Sequence, residues 1–131
     1  MFILNIEDDV FKHHSICKAL RSGGFNDLHI ECKGNLKEGI DAIEKHNEMG
    51  QSYDLIITDM WYPEFSGGRE AESGEKFIEI AQERLWDIPI ILCSSVNYNY
   101  PGILGSVHYS ENENWENKIV QLVRKAMVEG K

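Results

Sequence analysis

The chain has 131 residues, 42% of them hydrophobic and 27% charged, with a net charge of −9. That balance is globular, and the length fits one domain, residues 1–131, with a buried core. The acidic excess excludes a direct nucleic-acid surface, which needs clustered Lys and Arg against the phosphates. No apolar run approaches the roughly 20 residues that span a bilayer, so no membrane role is expected. The opening "MFILNIEDD" lacks the basic leader of a signal peptide. Cys17, Cys32 and Cys93 are odd in number and widely spaced, with no CxxC pair; they read as reduced thiols of a cytoplasmic protein.

The first element is "FILNI" (2–6), a short apolar run ending in "EDD". "FKHHSICKALRSGG" carries apolar residues at Phe11, Ile16, Ala19 and Leu20 and stops at Gly23 and Gly24, which suits one helix. Asp9, directly before it, reads as the helix N-cap. "LHIEC" (28–32) alternates like a strand, and "NLKEGIDAIEKHNEMG" reads as a helix capped by Asn35 and ended by Gly50. "DLIIT" (54–58) is a second continuous apolar run. The polar, Gly-rich stretch from Pro63 to Gly74 follows, read either as a mobile flap or as a solvated insertion. The helical pattern "EKFIEIAQERL" and the apolar run "IPIILCSS" (88–95) come next. "VNYNYPGILG" is too short and too broken by Pro101 for a helix. "SVHY" (106–109) reads as a short last strand, and "ENWENKIVQLVRKAMVEG" as a final helix with Trp115 in the core. Strands apolar on both faces, alternating with helices, predict a doubly wound α/β domain with a parallel sheet covered on both faces.

In open sheets of this kind, ligands bind beyond the carboxyl ends of the strands, where the strand order reverses. The first apolar run ends in Glu7-Asp8-Asp9, the "DLIIT" run in Asp59, and the "IPIILCSS" run in Ser94-Ser95. If these strands are neighbours, the groups meet on one rim. Clustered carboxylates repel one another unless a cation sits among them, and an all-oxygen site with room for water suits Mg2+. Adjacent His13 and His14 point in different directions on a helix and make a poor metal pair. "GREAESGEK" misses the spacing of a phosphate-binding loop.

Together, "ILNIEDD", "YDLIITDM" and "IPIILCSS" resemble the receiver domain of two-component response regulators. The resemblance covers nearly the whole chain and implies a flavodoxin-like, five-stranded parallel sheet of order 2-1-3-4-5, an order for which a receiver protein is itself a standard example. It implies that Asp59 is the phosphoacceptor and Ser94 the switch hydroxyl. Mg2+ would be held by Glu7, Asp8, Asp59 and the backbone carbonyl of Trp61. It also implies a sensor histidine kinase or phosphotransfer protein as donor and a downstream effector protein as target. Pro63 falls where the family commonly carries proline after the phosphorylation site. The side chain of Trp61 reads as a cover over the site or over nearby apolar surface.

Three features depart from that family. Receivers end their last strand with a lysine that grips the phosphoryl group, whereas "GSVHYSENENW" has none. His108 or Ser110 falls at that position, and Lys12 and Arg69 are alternative substitutes. The Pro63–Gly74 stretch is long, and the segment before the last strand lacks a helix, so the output surface is expected to be altered. The reading is a stand-alone response regulator receiver. The alternative is a pseudo-receiver interaction module that is not phosphorylated. A small Mg2+-dependent phosphatase is disfavoured because Trp61 stands where such an enzyme places its second aspartate.

Overall fold

The computed structural model describes residues 1–129; Gly130, in the expected last helix, lies outside them. In chain order the elements are β1 (Phe2–Ile6), α1 (Val10–Ser22), β2 (His29–Lys33), α2 (Leu36–Glu48), β3 (Leu55–Thr58), β4 (Tyr62–Pro63), β5 (Glu70–Ala71), α3 (Ser73–Glu83), β6 (Ile90–Ser94), β7 (Gly105–His108) and α4 (Trp115–Glu129). Five strands form one parallel sheet in the order β2-β1-β3-β6-β7. Counted within that sheet this is 2-1-3-4-5, the expected flavodoxin-like order. The reversal falls between β1 and β3, as the ligand-binding rule requires.

The continuous apolar runs are buried on both faces because each face carries its own core. On one side Ile3, Ile57, Ile91 and Val107 pack against Ile16 and Leu20 of α1 and Ile119 and Val123 of α4. On the other, Leu4, Ile6 and Ile56 pack against Ile43 of α2 and Phe77 and Ile78 of α3. No helix lies between β6 and β7 among the described residues. Tyr100 and Ile103 of that segment instead lie against the α2–α3 core, in an irregular stretch that turns at Pro101 and Gly102.

The Pro63–Gly74 stretch is neither loose nor fully solvated. β4 and β5 pair antiparallel, Tyr62 with Ala71 and Pro63 with Glu70. Tyr62 is fully buried, and its hydroxyl lies 3.0 Å from Thr58 Oγ1. Glu64 accepts from Lys37 N at 2.8 Å through its carbonyl and from Lys76 Nζ at 2.9 Å through its carboxylate. A buried aromatic anchor and contacts to two helices turn an apparently polar insertion into a pinned hairpin.

Two helix starts behave as read. Asp9 Oδ1 accepts from Phe11 N at 2.9 Å and Lys12 N at 3.3 Å, capping α1. Asn35 Oδ1 accepts from Glu38 N at 2.9 Å, while its amide donates to the Glu38 carboxylate. Asn35 is buried, so Asn35→Ala is expected to lower stability by about 1–2 kcal/mol, read as a shifted urea midpoint with an unchanged slope. The buried face of α1 leaves out one of its apolar residues and takes in a charged one. Phe11 is 85% exposed, and Lys12 is buried with Ile16, Ala19 and Leu20. Positions 12, 16, 19 and 20 form the 3.6-residue stripe, which turns Phe11 to solvent.

Candidate functional site

The ladder hydrogen bonds extend one residue past the strand ends and thereby set the site. Glu7 N donates to Lys33 O at 2.9 Å, and Asp59 N donates to Ile6 O at 3.1 Å. Glu7 and Asp59 are therefore held side by side on the carboxyl rim. One carboxylate oxygen each from Glu7, Asp8 and Asp59 lies within 4.8 Å of the others, the one such group of potential metal ligands among the described residues. Glu7 is buried, Asp59 partly so, and Asp8 is exposed. This graded opening to solvent, with oxygen-only donors, fits a hard divalent cation that keeps some of its water.

Ser94, also expected here, is buried at the end of β6. It sits one residue beyond the neighbour of Asp59, because Thr58 pairs with Leu92. Its Oγ accepts from Val96 N at 3.3 Å, and its carbonyl accepts from Tyr109 N at 2.7 Å. Trp61, two residues after Asp59, is exposed, and its Nε1 donates to the Tyr98 hydroxyl at 3.2 Å.

A cation lies inside the cluster. Lys12 Nζ is 2.9 Å from Glu7 Oε1 and 3.2 Å from Asp59 Oδ1, and it donates to Cys93 O at 2.7 Å. All three ammonium hydrogens thus have acceptors, which is what permits a charge to be buried here. Burial alone would pull Lys12 below its ordinary value, but Cys93, Glu7 and Asp59 outweigh it and hold the pKa higher. The Cys93 thiol is itself pushed up to about 12 by burial, so at neutral pH the carboxylates supply that pull. Glu7 is pushed up to about 7 by burial, an effect that the Lys12 ammonium opposes and Asp59 reinforces.

The last strand presents a different residue from those expected. Side chains alternate along a strand, and Val107 and Tyr109 both face the α1–α4 core. His108 therefore points the other way, its Nε2 lying 3.0 Å from Ser95 O and its Nδ1 3.6 Å from Glu113 Oε1. The ring of Tyr109 faces the site, with Lys12 Nζ 5.2 Å from its centroid. Arg69 is exposed on the approach to β5, and His13 engages Asn5 and Cys17 rather than a metal cluster.

One carboxylate was not anticipated. The hairpin brings Glu70 near Asp8, and that neighbouring carboxyl group raises the Glu70 pKa above its ordinary value. Only the β4–β5 pairing delivers Glu70 to the rim, and nothing local in "GGREAES" signals it. Lys12 did carry a signal: it stands one turn before Ile16 on the buried stripe of a helix that leaves the acidic strand end.

No family model and no curated protein sequence matches the chain. Solved structures do. A response regulator receiver protein from Pseudoalteromonas atlantica matches over 100% of both chains at 15% identity, with a TM-score of 0.68. A two-component response regulator from Cytophaga hutchinsonii matches over 96% of each chain at 16% identity, with a TM-score of 0.74. The Mn2+-bound form of the response regulator Rcp1 matches over 95% of this chain and 91% of its own at 18% identity, with a TM-score of 0.66. No helix of the described residues is long and apolar enough to cross a membrane. In sheet order and in helices packed on both faces, the molecule has the fold of a response regulator receiver domain.

Proposed function

We propose that the chain, as one domain over residues 1–131, is a receiver that takes a phosphoryl group on Asp59 in a Mg2+-dependent reaction. The donor is a phosphohistidine of a sensor kinase or phosphotransfer protein in the cytoplasm. The signal then passes to an effector through protein–protein contact, without direct contact to nucleic acid or membrane. The observation that carries this reading is the convergence of Glu7, Asp8 and Asp59 within 4.8 Å on the rim of a receiver-type sheet.

A carboxylate oxygen of Asp59 attacks phosphorus, the P–N bond to the donor imidazole breaks, and the departing nitrogen leaves with the electron pair and is protonated. Glu7, Asp8, Asp59 and the Trp61 carbonyl would hold the Mg2+, which supplies positive charge to the phosphoryl oxygens. Asp59 N, bonded to Ile6 O, and Met60 N, donating to Asp59 Oδ1 at 2.7 Å, keep the nucleophile oriented. Ser94 would donate a hydrogen bond from its hydroxyl to the phosphoryl group once attached, its Oγ still free to accept from Val96 N.

The test is intact-mass measurement after incubation with Mg2+ and a small phosphodonor. One phosphoryl group is expected on the wild type and none on Asp59→Asn. The second reading, an unphosphorylated interaction module, draws on Tyr109 at the end of β7 and the helix-free segment before that strand; no mass change in the wild type would favour it. Turnover of a phosphorylated small molecule would point instead to a phosphatase.

A further inference from the structure

Beyond the acceptor itself, and resting on that reading of Asp59, we propose that Lys12 of α1 is the cation that holds the phosphoryl group, leaving the Cys93 carbonyl to do so. Among the described residues it is the lysine or arginine paired with Asp59. Lys76 of α3 pairs with Glu64 at the surface, and Arg69 is exposed. Asp59 Oδ1 already receives Lys12 Nζ at 3.2 Å and Met60 N at 2.7 Å. Oδ2 is then the oxygen open to phosphorus, and a phosphoryl group on it lies within a short side-chain movement of Nζ.

Of the three acceptors around Nζ, the Cys93 carbonyl is the one that carries no ionisable group. A dianionic phosphoryl oxygen binds an ammonium more strongly than a neutral carbonyl does, so that bond yields first. The freed carbonyl belongs to the peptide that carries Ser94, and the ring of Tyr109 covers the ammonium from β7. Phosphorylation is thereby felt at the ends of β6 and β7 through a residue of α1. The anchoring of Lys12 is built in: Asp9 caps its helix at Lys12 N, and Ile16 and Leu20 bury the same face.

The test uses the full chain with Mg2+ and beryllofluoride, followed by 19F NMR, with Mg2+ affinity measured separately by calorimetry. Lys12→Gln is expected to weaken the beryllofluoride adduct about 10- to 100-fold, the loss of one charge-assisted hydrogen bond. The same change should tighten Mg2+, because it removes a positive charge from beside the carboxylates. Opposite signs separate a phosphoryl-holding role from a structural one, which would weaken both. Lys76→Gln should leave both values unchanged. Equal adduct affinity in wild type and Lys12→Gln, or parallel losses of both ligands, would overturn the inference. A structure of the wild-type adduct supplies a readout independent of any variant: Nζ should lie within hydrogen-bond distance of a fluorine and no longer on Cys93 O, and Nζ still on that carbonyl would refute it. If the wild type forms no adduct at all, the reading of Asp59 fails, and this inference with it.

Discussion

Gly74→Ala is expected to destabilise the protein by about 3 kcal/mol or more and to damage the site with the fold. An added Cβ would lie 2.2 Å from Asp59 O and 2.7 Å from Met60 Cα. Both are backbone atoms that no rotamer change can move aside. Gly74 stands in the first turn of α3, where its N–H donates to Met60 O at 2.9 Å. The helix is thus seated directly on the main chain of the acceptor residue. Overpacking of this kind usually costs about 1–3 kcal/mol, and more where backbone must shift. For a domain of this size that corresponds to a fall in melting temperature of about 10 °C or more.

Gly39→Ala is the contrast. There the new Cβ meets side-chain rather than backbone atoms, Ile6 Cδ1 at 2.9 Å and Cγ1 at 3.2 Å, and alanine regains about 1 kcal/mol of helix propensity. A net change within about 1 kcal/mol is expected. Equal melting temperatures for the two variants would contradict the seating of α3 on Asp59.

The second large effect is on stability against pH in metal-free protein. Glu7 carries a raised pKa of about 7 in the fold against an ordinary value of 4.5. Below 4.5 both folded and unfolded chains hold the proton, and the fold keeps its full stability. Between 4.5 and about 7 the unfolded chain releases the proton while the folded chain retains it, so stability falls as pH rises. At about 1.4 kcal/mol per unit, the loss reaches up to about 3 kcal/mol and levels off above pH 7. Urea melts in a chelator at pH 5 and pH 7.5 should show this fall, and Glu7→Gln should flatten it. Because Mg2+ binds ionised carboxylates, adding it should restore stability at pH 7.5 and do little at pH 5. A slope as steep in Glu7→Gln as in the wild type would assign the effect to other groups.

Glu7, Asp8, Asp59 and Ser94 were legible because a strand's direction and length are local properties, and a charged or hydroxyl residue at the end of an apolar run must appear at the rim. The helices were legible from their apolar spacing and from caps such as Asp9 and Asn35, whose side chains bond amides only two or three residues on. The missing helix before β7 was legible from Pro101 and the shortness of its segment.

The amino-acid sequence by itself determined the apolar runs, the helix starts and stops, and the delivery of acids to the strand ends, since each depends on residues within a turn or a strand of one another. Only the tertiary structure decided which face of α1 turns inward, exposing Phe11 and burying Lys12 against Glu7 and Asp59. It likewise decided that the Gly-rich stretch folds as a hairpin with Glu70 beside Asp8, and that Tyr109 faces the site in place of His108. The physical reason is common to all three. The free energy of a long side chain's placement is set by partners far along the chain: the carbonyl of Cys93 for Lys12, the fully buried pocket for Tyr62, the α1–α4 core for Tyr109.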